Sequence, residues 1–144
     1  MRIVNRRAPY EYQLFERLEV GIALVGSEVK SIKAGRADLS RSFVRIKDGE
    51  VYLVNANIPP YIGGTPQGYN PSKTRKLLLN RDEIVRFETK AKQQRLTIVP
   101  TKVYTKGRRI KVEIALARPK RKFEKRETKR RKDIEREIAR ELKH

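Results

Sequence analysis

Along residues 12–24 the large apolar side chains Tyr12, Leu14, Leu18, Val20, Ile22 and Leu24 take even positions, with Arg17, Glu19, Gly21 and Ala23 between them. Alternation of period two marks a half-buried strand, and Gly21 in its interior predicts a bend or bulge. After Gly26, residues 27–35 read as a short helix with Ser27 as N-cap and Gly35 as stop. Phe43–Lys47 and Glu50–Val54 flank Asp48-Gly49, a type I′ hairpin turn. In that register Ile46 faces Val51 and Val44 faces Leu53, while Lys47 meets Glu50 and Arg45 meets Tyr52 on the other side. Residues 55–73 are rich in Pro, Gly and Asn and predict a long loop, which in a small domain is functional or mobile. A second helix starts after Asn80: Asn80 and Glu83 have capping-box spacing, Leu79 can staple onto Ile84, and Ile84, Phe87 and Ala91 mark the buried face. Two more strands, 96–106 and 109–117, meet at Gly107, with Pro100 requiring an edge or a bulge.

The order strand, helix, two strands, helix, two strands predicts a mainly β protein. The expected architecture is an OB-fold-like closed antiparallel barrel with flanking short helices, and a half-open β-sandwich is the alternative. The barrel is expected over residues 1–117. Residues 118–144 carry 13 Lys and Arg against 6 Asp and Glu, with only Phe123, Ile134, Ile138 and Leu142 as large apolar residues. A stripe one residue wide buries too little surface to hold a helix alone. This basic C-terminal tail is expected to be disordered when free and helical on binding RNA.

Charge narrows the function. The 144 residues hold 36 Lys and Arg against 17 Asp and Glu, a net +19. Solubility needs a net charge of only about 2–8, so the excess points to a polyanionic partner. There is no cysteine, and the single histidine is His144, which removes disulfides, cysteine–zinc sites and histidine triads. No G-x-S-x-G, GxxxxGK[ST] or GxGxxG string occurs. The expectation is a protein that is not an enzyme, with no cofactor and no metal. No apolar run approaches the roughly 20 residues of a membrane span, and the N-terminus lacks a signal-peptide core, so a cytoplasmic location is expected.

Three basic clusters are candidates for phosphate contact: Arg2, Arg6 and Arg7 beside Tyr10; Lys73, Arg75 and Lys76; and the tail. Tyr and Phe among them can stack on unpaired bases.

The strings NRRAPYEY (5–12), LEVGIALVGSEVKSIKAGRADLS (18–40), SFVRIKDGEVYLVNANIPPY (42–61), NPSKTRKLLLNRDEI (70–84) and KVEIALA (111–117) resemble the SsrA-binding protein (SmpB) family along almost the whole chain. The resemblance implies an OB-like barrel that binds the tRNA-like domain of transfer-messenger RNA and delivers it to stalled ribosomes. It implies small-subunit ribosomal RNA and elongation factor Tu with GTP as partners, and a tail that probes the vacant messenger channel. The family's RNA-binding positions match Glu19, Leu78 and Asn80. From the residues alone, Asn80 serves equally as helix cap or base contact, and Leu78 as core or contact. In the tail the family has Gly-Lys-Lys, two residues, then Asp-Lys-Arg; here stand Pro119-Lys120-Arg121 and Glu124-Lys125-Arg126, with Phe123 where relatives carry His or Tyr. A ribosomal protein or another OB-fold translation factor is the alternative reading.

Overall fold

The computed structural model describes residues 1–142; Lys143 and His144, the end of the expected tail, lie outside the described residues. The elements are β1 (Arg2–Val4), α1 (Ala8–Glu11), β2 (Tyr12–Ile22), α2 (Gly26–Lys33), β3 (Phe43–Lys47), β4 (Glu50–Val54), β5 (Arg75–Leu78), α3 (Arg81–Gln94), β6 (Thr97–Lys106), β7 (Arg109–Pro119) and α4 (Lys122–Leu142). The strands form a seven-stranded antiparallel sheet in the order β1-β6-β3-β4-β5-β2-β7, and β7 also pairs with β6.

The alternating side chains of β2, β4 and β7 send one set inward, where Val20, Leu53, Val112, Ile114 and Leu116 pack with Leu77 and Phe87. Phe87 is the anchor of α3 and is fully buried, with Ile84 and Ala91 packed beside it. The β3–β4 hairpin has the expected register, Ile46 opposite Val51 and Val44 opposite Leu53. Asp48 and Gly49 both take the positive φ of a type I′ turn, 52° and 74°.

Several elements differ from expectation. β1, α1 and β5 were not expected: β1 and β5 span only three and four residues, too few for alternation to register, and β5 turns an arginine, Arg75, inward. Gly21 lies in a regular ladder, while the β2 irregularity falls between Leu14 and Arg17. The glycine serves close approach instead, since a Cβ there would lie 3.2 Å from the Leu78 Cβ. Ser27 does not cap α2. Val25 precedes the helix, and its N–H donates to the Glu28 carboxylate at 3.0 Å. Pro100 does sit at a bulge, the β6–β7 register shifting between Pro100 and Lys102. β7 continues past Ala117 to Pro119, which pairs with Tyr12. A proline is tolerated there because its missing N–H falls at the strand's last position.

Candidate RNA interface

Two rungs of the sheet define an outward face. In one, Leu78 of β5 lies opposite Gly21, Gly21 opposite Lys111, Lys111 opposite Tyr104 and Tyr104 opposite Arg2. In the next, Glu19 lies opposite Glu113, Glu113 opposite Lys102 and Lys102 opposite Val4. Directly paired residues share a face, and so do residues two apart on a strand. Because their inward neighbours fill the core, these side chains point outward. Arg17, Lys106 and Arg109 extend the same face by the same spacing. Leu78 and Val4 are about half exposed on it, apolar ground among cations.

The two carboxylates of the face are held by the groups around them. Glu19 accepts from the Tyr104 hydroxyl and, at 3.0 Å, from the Lys106 ammonium. These bonds, the Tyr104 bond foremost, keep its carboxyl below the usual glutamate range. Glu113 accepts from the Thr101 hydroxyl at 2.5 Å and pairs with Arg17 at 3.5 Å and Lys102 at 3.8 Å. Lys102 also sits 5.4 Å from the centre of the Tyr104 ring. The arrangement presents cations around fixed hydrogen-bond acceptors.

The expected site residues divide. Glu19 and Leu78 stand on this face, and Leu78 is exposed, not core. Lys76, two residues before Leu78, is exposed and paired with Glu50 at 2.8 Å. Asn80 caps α3: its Oδ1 accepts from the Glu83 N–H at 2.9 Å, and Glu83 Oε1 accepts from the Asn80 N–H at 3.0 Å. Its side-chain amide lies at the exposed end of β5, so the cap and an RNA contact are compatible. Arg6 and Arg7 lie elsewhere, before α1. Arg7 pairs with Glu11 at 2.6 Å and lines a polar groove of about 480 Å³ with Asn5, Ser40 and Arg41.

Arg75 is buried, unlike the exposed Lys76 beside it. Its side chain is 1% exposed and spends all five N–H donors inside the protein. Nε donates to Glu28 at 2.5 Å. Nη1 donates to the carbonyls of Ala56 and Lys73 at 2.8 and 3.1 Å, and Nη2 to the Tyr69 hydroxyl and the Pro71 carbonyl at 3.0 and 2.9 Å. Arg75 therefore ties the 55–73 loop to α2. Lys73 joins the same network, 3.3 Å from Glu28.

In the tail, Lys120 is likewise engaged: its ammonium donates to the Pro9 carbonyl at 2.8 Å and the Thr128 hydroxyl at 2.7 Å. Glu124 accepts from the Arg121 N–H and from Arg118, each at 3.3 Å, the former bond leading in holding its carboxyl low. Lys125 is partly covered, whereas Arg121, Arg126 and Phe123 are exposed, Phe123 by 62%. Sequence reasoning missed Lys102, Tyr104, Lys106 and Lys111. Pairing the 96–106 and 109–117 strands across Gly107 with the first strand would have found them. Among the described residues no group of three or more His, Cys, Asp or Glu could hold a metal ion, and no helix is long and apolar enough to cross a membrane.

A small antiparallel β protein with a basic, acceptor-studded sheet face is of the class built to hold a structured polyanion. Comparison with known proteins names the family. The family model described as "SmpB protein" matches residues 2–144, and the chain belongs to the SmpB family. It is 48% identical over 139 residues to the SsrA-binding protein of Sulfurihydrogenibium sp. (strain YO3AOP1), covering 96% of this chain and 91% of that one. It is 49% identical over 138 residues to the SsrA-binding protein of Deinococcus radiodurans, covering 96% and 94%. A solved structure described as "tmRNA-SmpB: a journey to the center of the bacterial ribosome" superposes with TM-score 0.71 at 44% identity, covering 90% of this chain and 95% of that one.

Proposed function

We propose that the protein binds transfer-messenger RNA and carries it to stalled ribosomes, acting in the cytoplasm by binding and not by catalysis. The observation that carries the reading is the two-rung sheet face, in a chain nearly half identical to SsrA-binding proteins. The tRNA-like domain is the part of the RNA that this face holds. Phosphates meet Arg2, Arg17, Lys102, Lys106, Arg109 and Lys111, and base or ribose donors meet Glu19. Leu78 gives an apolar contact and Asn80 a polar one at the end of β5. Arg6, Arg7, Lys73 and Lys76 add charge around it. Elongation factor Tu with GTP rides on the same RNA, and small-subunit RNA receives the tail through Arg121, Phe123, Lys125 and Arg126. We further infer that the sheet is an OB-like closed barrel. The support is the circuit of pairings from β6 through β3, β4, β5 and β2 to β7, with β7 paired back to β6.

The test is the salt dependence of binding to isolated transfer-messenger RNA. Each neutralised phosphate adds about 0.7–0.9 to the slope of log affinity against log salt. Six face cations less two carboxylates give an expected slope of about −3 or steeper. A slope near zero, or equal affinity for duplex DNA, overturns the reading.

A further inference from the structure

Tyr104 sits at the centre of the proposed RNA face, between Lys111 and Arg2 in its rung, and none of the residues expected from sequence includes it. One might give it the usual role of an aromatic on such a face, a platform for an unpaired base. Its surroundings argue otherwise. The Lys102 ammonium lies over the ring, and the hydroxyl is committed to Glu19.

We infer that Tyr104 is a positioning residue: its hydroxyl, with the Lys106 ammonium, holds the Glu19 carboxylate in the one orientation that receives RNA donors. The inference rests on the reading of Glu19 as an RNA contact. An ionised carboxylate offers about four acceptor positions on two oxygens. Tyr104 takes one on Oε2 and Lys106 one on Oε1, which leaves the remaining positions for base amino groups or ribose hydroxyls. A glutamate on a basic face that awaits a polyanion has two problems. It is repelled by approaching phosphates, and it is drawn to the several cations around it. A fixed, neutral donor answers the second, because it orients the carboxylate without adding a charge the RNA must displace, and the Lys106 ammonium offsets the charge behind the first.

The tyrosine is suited to this. Burial, then the neighbouring Glu19, push its phenol above the ordinary tyrosine value, so it remains a donor throughout the neutral range. Glu19 is held low and remains an acceptor over the same range. Glu19 belongs to β2 and Tyr104 and Lys106 to β6, with β7 between them. The bond therefore crosses a strand, and its geometry is set by the sheet and not by a local turn.

The experiment compares the full chain with Tyr104→Phe, Glu19→Ala and the double variant. It measures affinity for transfer-messenger RNA at fixed salt, the thermal midpoint, and the Glu19 carboxyl titration by NMR in the free protein. Tyr104→Phe keeps the ring and the Lys102 contact and removes only the hydroxyl. The expected results are affinity lowered about ten-fold or more, as for loss of one hydrogen bond to a charged group, a Glu19 carboxyl that titrates higher, and no further loss in the Glu19→Ala background. If Glu19→Ala weakens binding while Tyr104→Phe does not, or if the two losses add in full, the positioning role is overturned. If Glu19→Ala binds as the parent does, the reading of Glu19 as an RNA contact fails first.

Discussion

Replacing Arg75 with alanine separates a structural pin from a phosphate contact. The substitution takes the buried cationic partner from a carboxylate, Glu28, whose own side chain is 1% exposed, and leaves it the Val25 N–H, the Tyr69 hydroxyl and the partly exposed Lys73. It also removes the donors that satisfy the Ala56, Lys73 and Pro71 carbonyls. Breaking a buried pair by deleting one partner costs about 3–5 kcal/mol, a large part of the 5–15 kcal/mol typical of whole domains. For a chain of this size each kcal/mol moves the thermal midpoint by about 2–4 °C, so a fall of about 10 °C is expected. pH gives a second signature. Burial opposes ionisation of Glu28, but the Val25 N–H, Arg75 and Lys73 outweigh it and hold the carboxyl below the ordinary glutamate value. A lowered carboxyl contributes stability above its unfolded pKa and loses it as pH falls through the folded one. The deficit of Arg75→Ala should therefore be full at neutral pH and shrink in acid. The assay is thermal unfolding from neutral to acid pH, with RNA affinity measured on folded protein, beside Lys76→Ala as the exposed control. Lys76→Ala should lower affinity and leave the midpoint in place. If Arg75→Ala melted with the parent yet lost RNA affinity, Arg75 would be an RNA contact and the pinning argument would fall.

Asn80→Ala should cost about 1 kcal/mol through loss of the α3 cap, read in denaturant unfolding. A fall in RNA affinity at conditions where the variant is fully folded would mark a contact beyond the cap, and its absence would leave Asn80 a cap alone. Deleting 122–144 removes α4 but spares β7, so gel-shift affinity for free transfer-messenger RNA should be nearly unchanged while tagging on stalled ribosomes is abolished; a large loss in the gel shift would place the tail in the RNA-binding body.

The parts of the fold legible in the sequence were those whose signal is local. The β3–β4 hairpin carries its register in the Asp48-Gly49 turn and in matched apolar and charged pairs, and α3 announces itself by Asn80 and Glu83. β5 was not legible, because its inward positions are Leu77 and Arg75. An arginine in a core violates the alternation rule, and only Glu28, 47 residues away in sequence, explains it. The same long-range logic inverted the basic cluster of Lys73, Arg75 and Lys76. Adjacent in sequence, Arg75 and Lys76 point to opposite sides of β5, Arg75 in and Lys76 out, and Lys73 precedes the strand.

The proposed RNA face was half legible for a related reason. Glu19 and Leu78 came from resemblance, Glu19 also from the alternation of β2, whereas Tyr104 and the lysines beside it acquire meaning only through a register that spans five strands. The tail shows the opposite limit. Its composition predicts a basic segment with a lone aromatic, disordered when free and helical on binding RNA; here α4 is a helix with Phe123 exposed. Composition is silent on where that helix leaves the body. Three bonds set this: the Lys120 N–H to the Glu11 carbonyl and its ammonium to Pro9 and Thr128. Lys120, expected as a ribosome contact, is thus the residue that joins α1 to the second turn of α4. Two of its ammonium donors are already used within the protein, whereas cations beyond it are exposed along every later turn of α4.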